Sequence, residues 1–505
     1  MVKIPRRTLL LASPLLLTRA QAQAAPDLVR FSPEIEPLVR QIESVEHEQC
    51  AEWLAAQMQR GTPYRHLLAA VFLAGVRNVN PRPPGFALHC VFLAHAAHQL
   101  SLEAPADTRA LPLFYVLDDF KAAQARDAGQ KTGDYSMRVL PGDTRPAPKA
   151  AGAELAAAMD AWEPERAERA AAALARSSGP TEAFEMLWRY GARDYRNIGH
   201  KAIFLANACR TLQTIGWQHA EPVLRSVVLG LLDFGREQKM SGFALNDQCF
   251  AGNEKRVRDG FARLPGEWTA AANGTAETRA LLKTMRTASV DEACAETAAR
   301  LGKGRLRAGA IWEAVHLSAA ELRMRASGAN ASTGVHAVNA ANGLHVAYLS
   351  AADPRLRYLL LLQGVGWMGQ FRHFAEEKPE LMRRLAINEL EPSFPKYASN
   401  FQLLDDVMAA IPAQPAAAAA DILALAPNQE MRSRYLNGLM RNSITKADEV
   451  HFYKYLVSLL ETLPLVSSEW QPHLLAATAY YAKGTGDPEP AWAKRTREAL
   501  RTVKA

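Results

Sequence analysis

Histidine is the residue type in this sequence whose placement suggests chemistry, because a neutral imidazole binds metal and its ordinary pKa lies near neutrality. There are 13 histidines in 505 residues. Six fall in pairs, His66 with His89, His316 with His336 and His451 with His473, separated by 23, 20 and 22 residues. His200 takes the matching place in the middle of the chain, one residue out of strict register. Imidazoles at equivalent points of repeated helical modules can converge from separate helices on one metal, whereas one helix pair offers too few. On this reading His66, His89, His200, His316 and His336 are the candidate ligands. The alternative for each ring is a helix cap or a partner for a buried carbonyl.

His219 is a separate candidate, for catalysis, because it stands where two related segments carry Asp107 and Asp353. An aspartate before an apolar helix is commonly an N-cap. Its exchange for imidazole marks either another cap or a ligand or general base. Lys201, beside His200 at the edge of an apolar helix, is expected to reach for water.

Other templates are missing. No H-E-x-x-H, C-x-x-C, G-x-S-x-G or P-loop occurs, and the lone E-x-x-H of Glu313 and His316 is half of what a di-iron bundle needs. Gly364, Gly366 and Gly369 match G-x-G-x-x-G but end an apolar helical run with no βαβ unit around them, which disfavours a dinucleotide site. Cys50, Cys90, Cys209, Cys249 and Cys294 are scattered, so no disulfide framework is expected. Trp188, Trp217, Trp312 and Trp367 recur near the apolar helices and read as core.

The elements that must carry these residues are helices. Apolar residues recur at three and four in nearly every long segment, while proline and glycine fall mostly between segments. Stretches beginning at His89, Lys201 and His336 can be laid over one another, so that Phe92-Leu93-Ala94-His95 falls on Phe204-Leu205-Ala206-Asn207 and His98 on Arg210 and His345. Each reads as a helix, a polar connection and a second helix apolar on all sides, such as Val223–Leu232 or Leu356–Leu362, which predicts burial. The expected fold is all-α: repeated helix-pair modules, about 40–130, 180–240, 305–375 and a divergent 380–500, packed as one multi-lobed domain over residues 25–505. Pro146–Ala151 and Pro412–Ala420 are candidate boundaries between lobes.

Residues 1–24 join Arg6-Arg7 to an apolar run, Leu9–Leu17, and a small-residue site, the pattern of an export signal resembling the twin-arginine type. A periplasmic or secreted mature protein is expected. Lys3, Arg6, Arg7 and Arg19 supply four of the +7 formal charges, leaving +3, and the remaining basic residues interleave with acids. Nucleic acid is therefore not an expected partner. No other segment has the ~20 apolar residues of a membrane span.

His336-Ala337-Val338, Ala341-Asn342-Gly343-Leu344, Asp353–Leu356, Leu359–Gln363 and Trp367 resemble the questin oxidase-like family, and Gly199–Ser226 resembles its corresponding helix pair. The resemblance spans most of residues 40–375 through short, mostly apolar strings. It implies an all-helical oxygenase-like protein that acts on polycyclic aromatic ketones such as anthraquinones, with iron bound by histidines. Carried over residue by residue it favours His336 and His200 as ligands; His66, His89 and His316 follow only through the internal repeat.

Two functions are thus expected of the sequence. One is an exported metal-dependent oxidoreductase for a small aromatic ketone, with iron as first choice, although imidazole suits zinc and copper equally. The other is a helical-repeat scaffold that binds a partner protein. Buried histidines around one centre would speak for the first, and dispersed ones for the second.

Overall fold

The computed structural model describes residues 27–85, 87–129, 135–233, 244–393 and 400–504. The export signal lies outside the described residues. Within them the fold is all-α, with 22 α-helices and no strand; the only β features are isolated bridges at Leu28–Arg138 and Ala326–Met382. No described helix is long and apolar enough to cross a membrane.

Four helices organise the interior: His89–Glu103, His200–Ile215, Ala331–Ser350 and His451–Thr462. They pack in a ring, each against two of the others. Three of them begin on a histidine, and these first residues lie together with His336 of the fourth. Residues further along also meet, since Glu461 bonds His95, Arg210 and Asn342, and Ser458 bonds Asn339. With a rise of about 1.5 Å per residue, contacts at both depths require all four helices to run in the same direction. Parallel neighbours need long connections, and the intervening segments supply them with the outer helices. Phe92 and Phe204, matched in the sequence overlay, pack on each other at 5.1 Å between ring centres.

The second helices are buried as their composition requires. Val223, Leu224, Val227 and Val228 in Ala220–Leu231, and Leu360, Leu361 and Leu362 in Pro354–Glu376, have no exposed surface. One continuous apolar cluster runs from Val29 to Ala499, so the modules share a core. The Pro146–Ala151 region holds one short 3₁₀ turn, Pro148–Ala150, leading into the helix Ala151–Ala161, and the alanine tract enters the helix Pro415–Leu425.

The three glycines of Pro354–Glu376 have a packing role. A Cβ on Gly364 would meet Trp312 at 3.1 Å, one on Gly369 would meet Val290 at 3.1 Å, and one on Gly366 would reach the Cys249 sulfur at 2.2 Å. The motif lies inside a helix, where no phosphate-binding turn exists. Gly366→Ala is expected to cost about 1–3 kcal/mol through overpacking. Gly486→Ala, where nothing lies within 4 Å, serves as the control. Equal urea midpoints for the two variants would refute the packing role.

Candidate metal centre

At the head of the parallel bundle four imidazoles share one space. His200 Nε2 lies 3.1 Å from His336 Nε2, which lies 3.1 Å from His451 Nε2. His89 completes the group, its ring centre 5.1 Å from His200 and 4.9 Å from His451. Ring nitrogens of His89, His200 and His451 all fall within 4.8 Å of one another. His200 and His336 are buried, while His89 and His451 are partly exposed, so the centre opens to the surface on that side.

The outer nitrogens decide the chemistry of the inner ones. His200 Nδ1 donates to the Asn197 carbonyl at 2.5 Å, and His336 Nδ1 to the Ser332 carbonyl at 2.7 Å. Carbonyls only accept, so each neutral ring carries its proton on Nδ1 and a lone pair on Nε2. His451 Nδ1 bonds the Glu449 carboxylate, which assigns its Nε2 the same way. Two lone pairs 3.1 Å apart cannot bond one another, but both can be donated to one shared cation. Metal–nitrogen bonds of 2.0–2.1 Å in tetrahedral geometry place donors about 3.3–3.4 Å apart, close to the separation found here. A backbone carbonyl or carboxylate behind each ligand ring is the usual support of a metal-bound histidine.

Electrostatics oppose protons at this place. Burial, with Lys454 adding to it, pushes His200 down to about 3. Burial and the neighbouring cation also depress His89, and burial and the neighbouring rings depress His336. Lys454, one helical turn after His451, places Nζ 2.7 Å from His89 Nδ1 and is lowered to about 7 by burial; as the neutral amine it accepts from Nδ1–H and leaves the His89 lone pair on Nε2.

Local backbone prepares His200. Asn197, Ile198 and Gly199 all have positive φ, of 60°, 53° and 79°. For a β-branched residue such as Ile198 this conformation is costly, and such strain tends to gather where a site demands it. The turn brings the Asn197 carbonyl back onto His200. On the other side Gly85 lies flush with the ring, where a Cβ would come within 2.7 Å of Nδ1.

A second polar layer lies deeper in the bundle. Glu461 accepts from His95 at 2.7 Å, Arg210 at 2.5 Å and Asn342 at 2.9 Å. Burial raises the Glu461 carboxyl, but Arg210 and His95 outweigh it and hold it at about 2. A narrow cavity of about 10 Å³, the size of one water, lies among Lys454, Asn339, Ser458, His95 and Arg210.

The sequence-derived candidates divide. His89, His200 and His336 come together. His316 does not join them; its Nε2 lies 2.8 Å from Nδ1 of His345, nine residues beyond His336, and both rings are buried beside Trp312. His66 and His219 line a separate cleft of about 390 Å³ with Arg65 and Glu34. The physical reason is that His66 and His316 belong to outer helices that pack around the bundle, not to the four that form it. His219 occupies the residue before its helix without a capping bond, whereas Asp353 does cap, bonding the Arg355 N–H, and Asp107 pairs with Arg441 at the surface. Lys201 does not reach water either. It is fully buried, paired with Asp194 at 2.9 Å and bonded to the Asp233 carbonyl. Glu313 accepts from Thr278 and from the Ser467 N–H, which leaves it a structural residue.

Sequence reasoning missed His451, because it was placed in register with His66 and His316. Overlaying His451 on His200 puts Tyr455-Leu456 on Phe204-Leu205, a signal the sequence carries. His473 lies on the separate helix Gln471–Ala477, where it bonds the Glu469 carbonyl and packs on Trp470.

The His316–His345 pair makes a testable contribution to stability. Burial lowers His316 from 6.5 to about 3. Below pH 6.5 the unfolded chain therefore binds a proton that the folded chain refuses, and stability is lost as pH falls toward 3, by about 1.4 kcal/mol per pH unit. Above pH 6.5 this contribution is complete and constant. Thermal midpoints of His316→Gln should fall less steeply than wild type between pH 6.5 and 4.5; superimposable profiles would refute the assignment.

Comparison with family models, curated proteins and solved structures returned no match for this chain.

Proposed function

We propose that this protein is an exported metal-dependent oxidoreductase whose centre is held by His89, His200, His336 and His451, with iron as the first choice of metal. The observation that carries the reading is the meeting of unprotonated Nε2 atoms from His200, His336 and His451, each fixed by a partner behind it. Neutral imidazole donors suit iron, zinc and copper, and the resemblance to questin oxidase-like proteins selects iron and an oxygen reaction on a polycyclic aromatic ketone.

Bound iron would supply the electron transfer that lets dioxygen react with an organic substrate. The chain's own residues do the rest. His200 and His336 anchor the buried side, and the partly exposed edge at His89 and His451 leaves the approach for substrate. Lys454, as the neutral amine, accepts from His89 Nδ1–H, which turns the Nε2 lone pair toward the centre and fixes that ring's orientation. Tyr195, Trp367, Phe371 and Phe374 form an aromatic cluster behind the Asn197–Gly199 turn and keep water from that side.

Elemental analysis of the mature protein purified in native form is the test, followed by oxygen uptake with an anthraquinone. Stoichiometric iron and ketone-dependent uptake are expected. A protein that takes up neither iron nor zinc nor copper on reconstitution would overturn the reading in favour of a scaffold.

A further inference from the structure

Away from the histidine centre, two thiols from separate helices meet. Cys249 lies on Ala244–Gly260 and Cys294 on Val290–Gly302, and both helices rest on Pro354–Glu376 at Gly366. The missing side chain of Gly366 makes the room, since a Cβ there would lie 2.2 Å from the Cys249 sulfur and 3.2 Å from that of Cys294. The sulfurs are within hydrogen-bonding reach of each other. A fully buried amide, Asn253 Nδ2, points at both, 3.6 Å from each. Its oxygen accepts from Arg256, which pairs in turn with Asp291 at 2.6 Å.

This is more than apolar packing of two cysteines. A guanidinium polarises the amide, which donates to Gln363 Oε1 at 2.8 Å and also reaches both sulfurs, while Cys249 donates to Gln363 Oε1 and Cys294 to the Leu362 carbonyl, so the two thiols sit in one polar network. Arg256 also lines an open groove of about 730 Å³ between the two helices, together with Lys255, Arg263 and Lys303. Asp259 and Asp291 line it too, so four basic residues face two acids and the groove favours a small anionic molecule.

We propose that Cys249 and Cys294 are a redox-active dithiol that closes to an intramolecular disulfide by exchange with a small, carboxylate-bearing disulfide. In the first step the Cys294 thiolate attacks one sulfur of the external disulfide, forming a mixed disulfide and releasing one thiolate. In the second, the Cys249 thiolate attacks Cys294 Sγ, the Cys249–Cys294 bond forms and the second external thiolate leaves. The two protons of the original thiols end on the two released thiols, so the protein loses two electrons and the external disulfide gains them. The neighbouring thiol and the Asn253 amide together hold Cys294 below the ordinary thiol range, which fits its role as the attacking sulfur. Burial of both sulfurs makes exchange wait on parting of the two helices, so it is slower than at an exposed thiol.

The bond would staple two helices that both brace Pro354–Glu376. Gln363 of that helix accepts from Asn253 and donates to the Ala192 carbonyl, at the start of the segment leading to His200. The inference is independent of the metal reading.

The experiment equilibrates full-length protein with glutathione disulfide, then denatures and alkylates it and maps the peptides without reduction. Alkylation is expected to fall from all five cysteines to three, with one linkage between the peptides of Cys249 and Cys294. In Cys249→Ser the second step is blocked, and a glutathionyl adduct should persist on Cys294. Alkylation of all five wild-type cysteines after equilibration, or a linkage through Cys50, Cys90 or Cys209, would overturn the proposal.

Discussion

In the variant His336→Ala, bound metal is expected to fall at least tenfold and oxidation to be lost, while the far-ultraviolet circular dichroism spectrum stays helical. His336 is the middle ring of the group, with its Nε2 3.1 Å from both His200 Nε2 and His451 Nε2. Removing it leaves donors on either side of a gap and replaces one ligand by solvent. Changes to residues that merely support a ligand already cost ten- to a hundredfold in affinity, so loss of a ligand costs no less. The helix itself survives, because its buried apolar neighbours Val335, Ala337, Ala340 and Leu344 are untouched and alanine is a good helix former. His47→Ala removes only a half-exposed contact with Asp118 and should keep full metal, and so should His66→Ala in its separate cleft. Elemental analysis of the four proteins decides the matter. Full metal content in variants lacking His89, His200 or His336 would leave the scaffold as the better account.

Asp194→Ala is expected to be the most damaging single change outside the centre, at about 3–5 kcal/mol. Lys201 and Asp194 have no exposed side-chain surface, and their bond is 2.9 Å. Removing the carboxylate strands an ammonium group beside the Trp162 ring, with the Asp233 carbonyl as its remaining bond. Burial already disfavours the charged form of this lysine, with Asp194 opposing it. The cost thus comes from the group left behind, and a pair replacement tests this. Asp194→Leu combined with Lys201→Met should recover part of the loss, because Lys201 is no longer stranded, while the buried Arg196 still loses the carboxylate it shares with Lys201. Urea unfolding of single and double variants measures it; additive losses in the double variant would refute the pairing. Since Asp194 begins the approach to the Asn197–Gly199 turn, the single variant should also weaken metal retention.

Lys201 shows how far a sequence can mislead locally. Its neighbours Ala202-Ile203-Phe204-Leu205 announce a buried helix, and a lysine beside such a helix ordinarily extends to water. What holds it inside is an aspartate seven residues earlier, brought into range by a turn with three positive φ angles that composition does not reveal. His451 shows a different failure. Its own segment carries the pattern of the other bundle helices, but spacing to His473 resembled the His66–His89 interval and drew it into the wrong register.

The all-helical class, the burial of the second helices and the recurrence of histidine in the modules can all be read along the chain. These follow from period and composition, which act along one chain segment at a time. The sequence also supplied His89, His200 and His336, because equivalent positions in related modules meet when the modules pack around a shared axis. Only the tertiary structure decided which member of each histidine pair faces that axis and that His316 turns instead to His345. Only it placed Asn197, Ser332 and Glu449 behind the clustered imidazoles and brought Cys294 against Cys249. Each of these depends on how one helix is rotated against another. Successive residues point about 100° apart, so a small change in packing exchanges one candidate for its neighbour without altering the pattern that can be read along the chain.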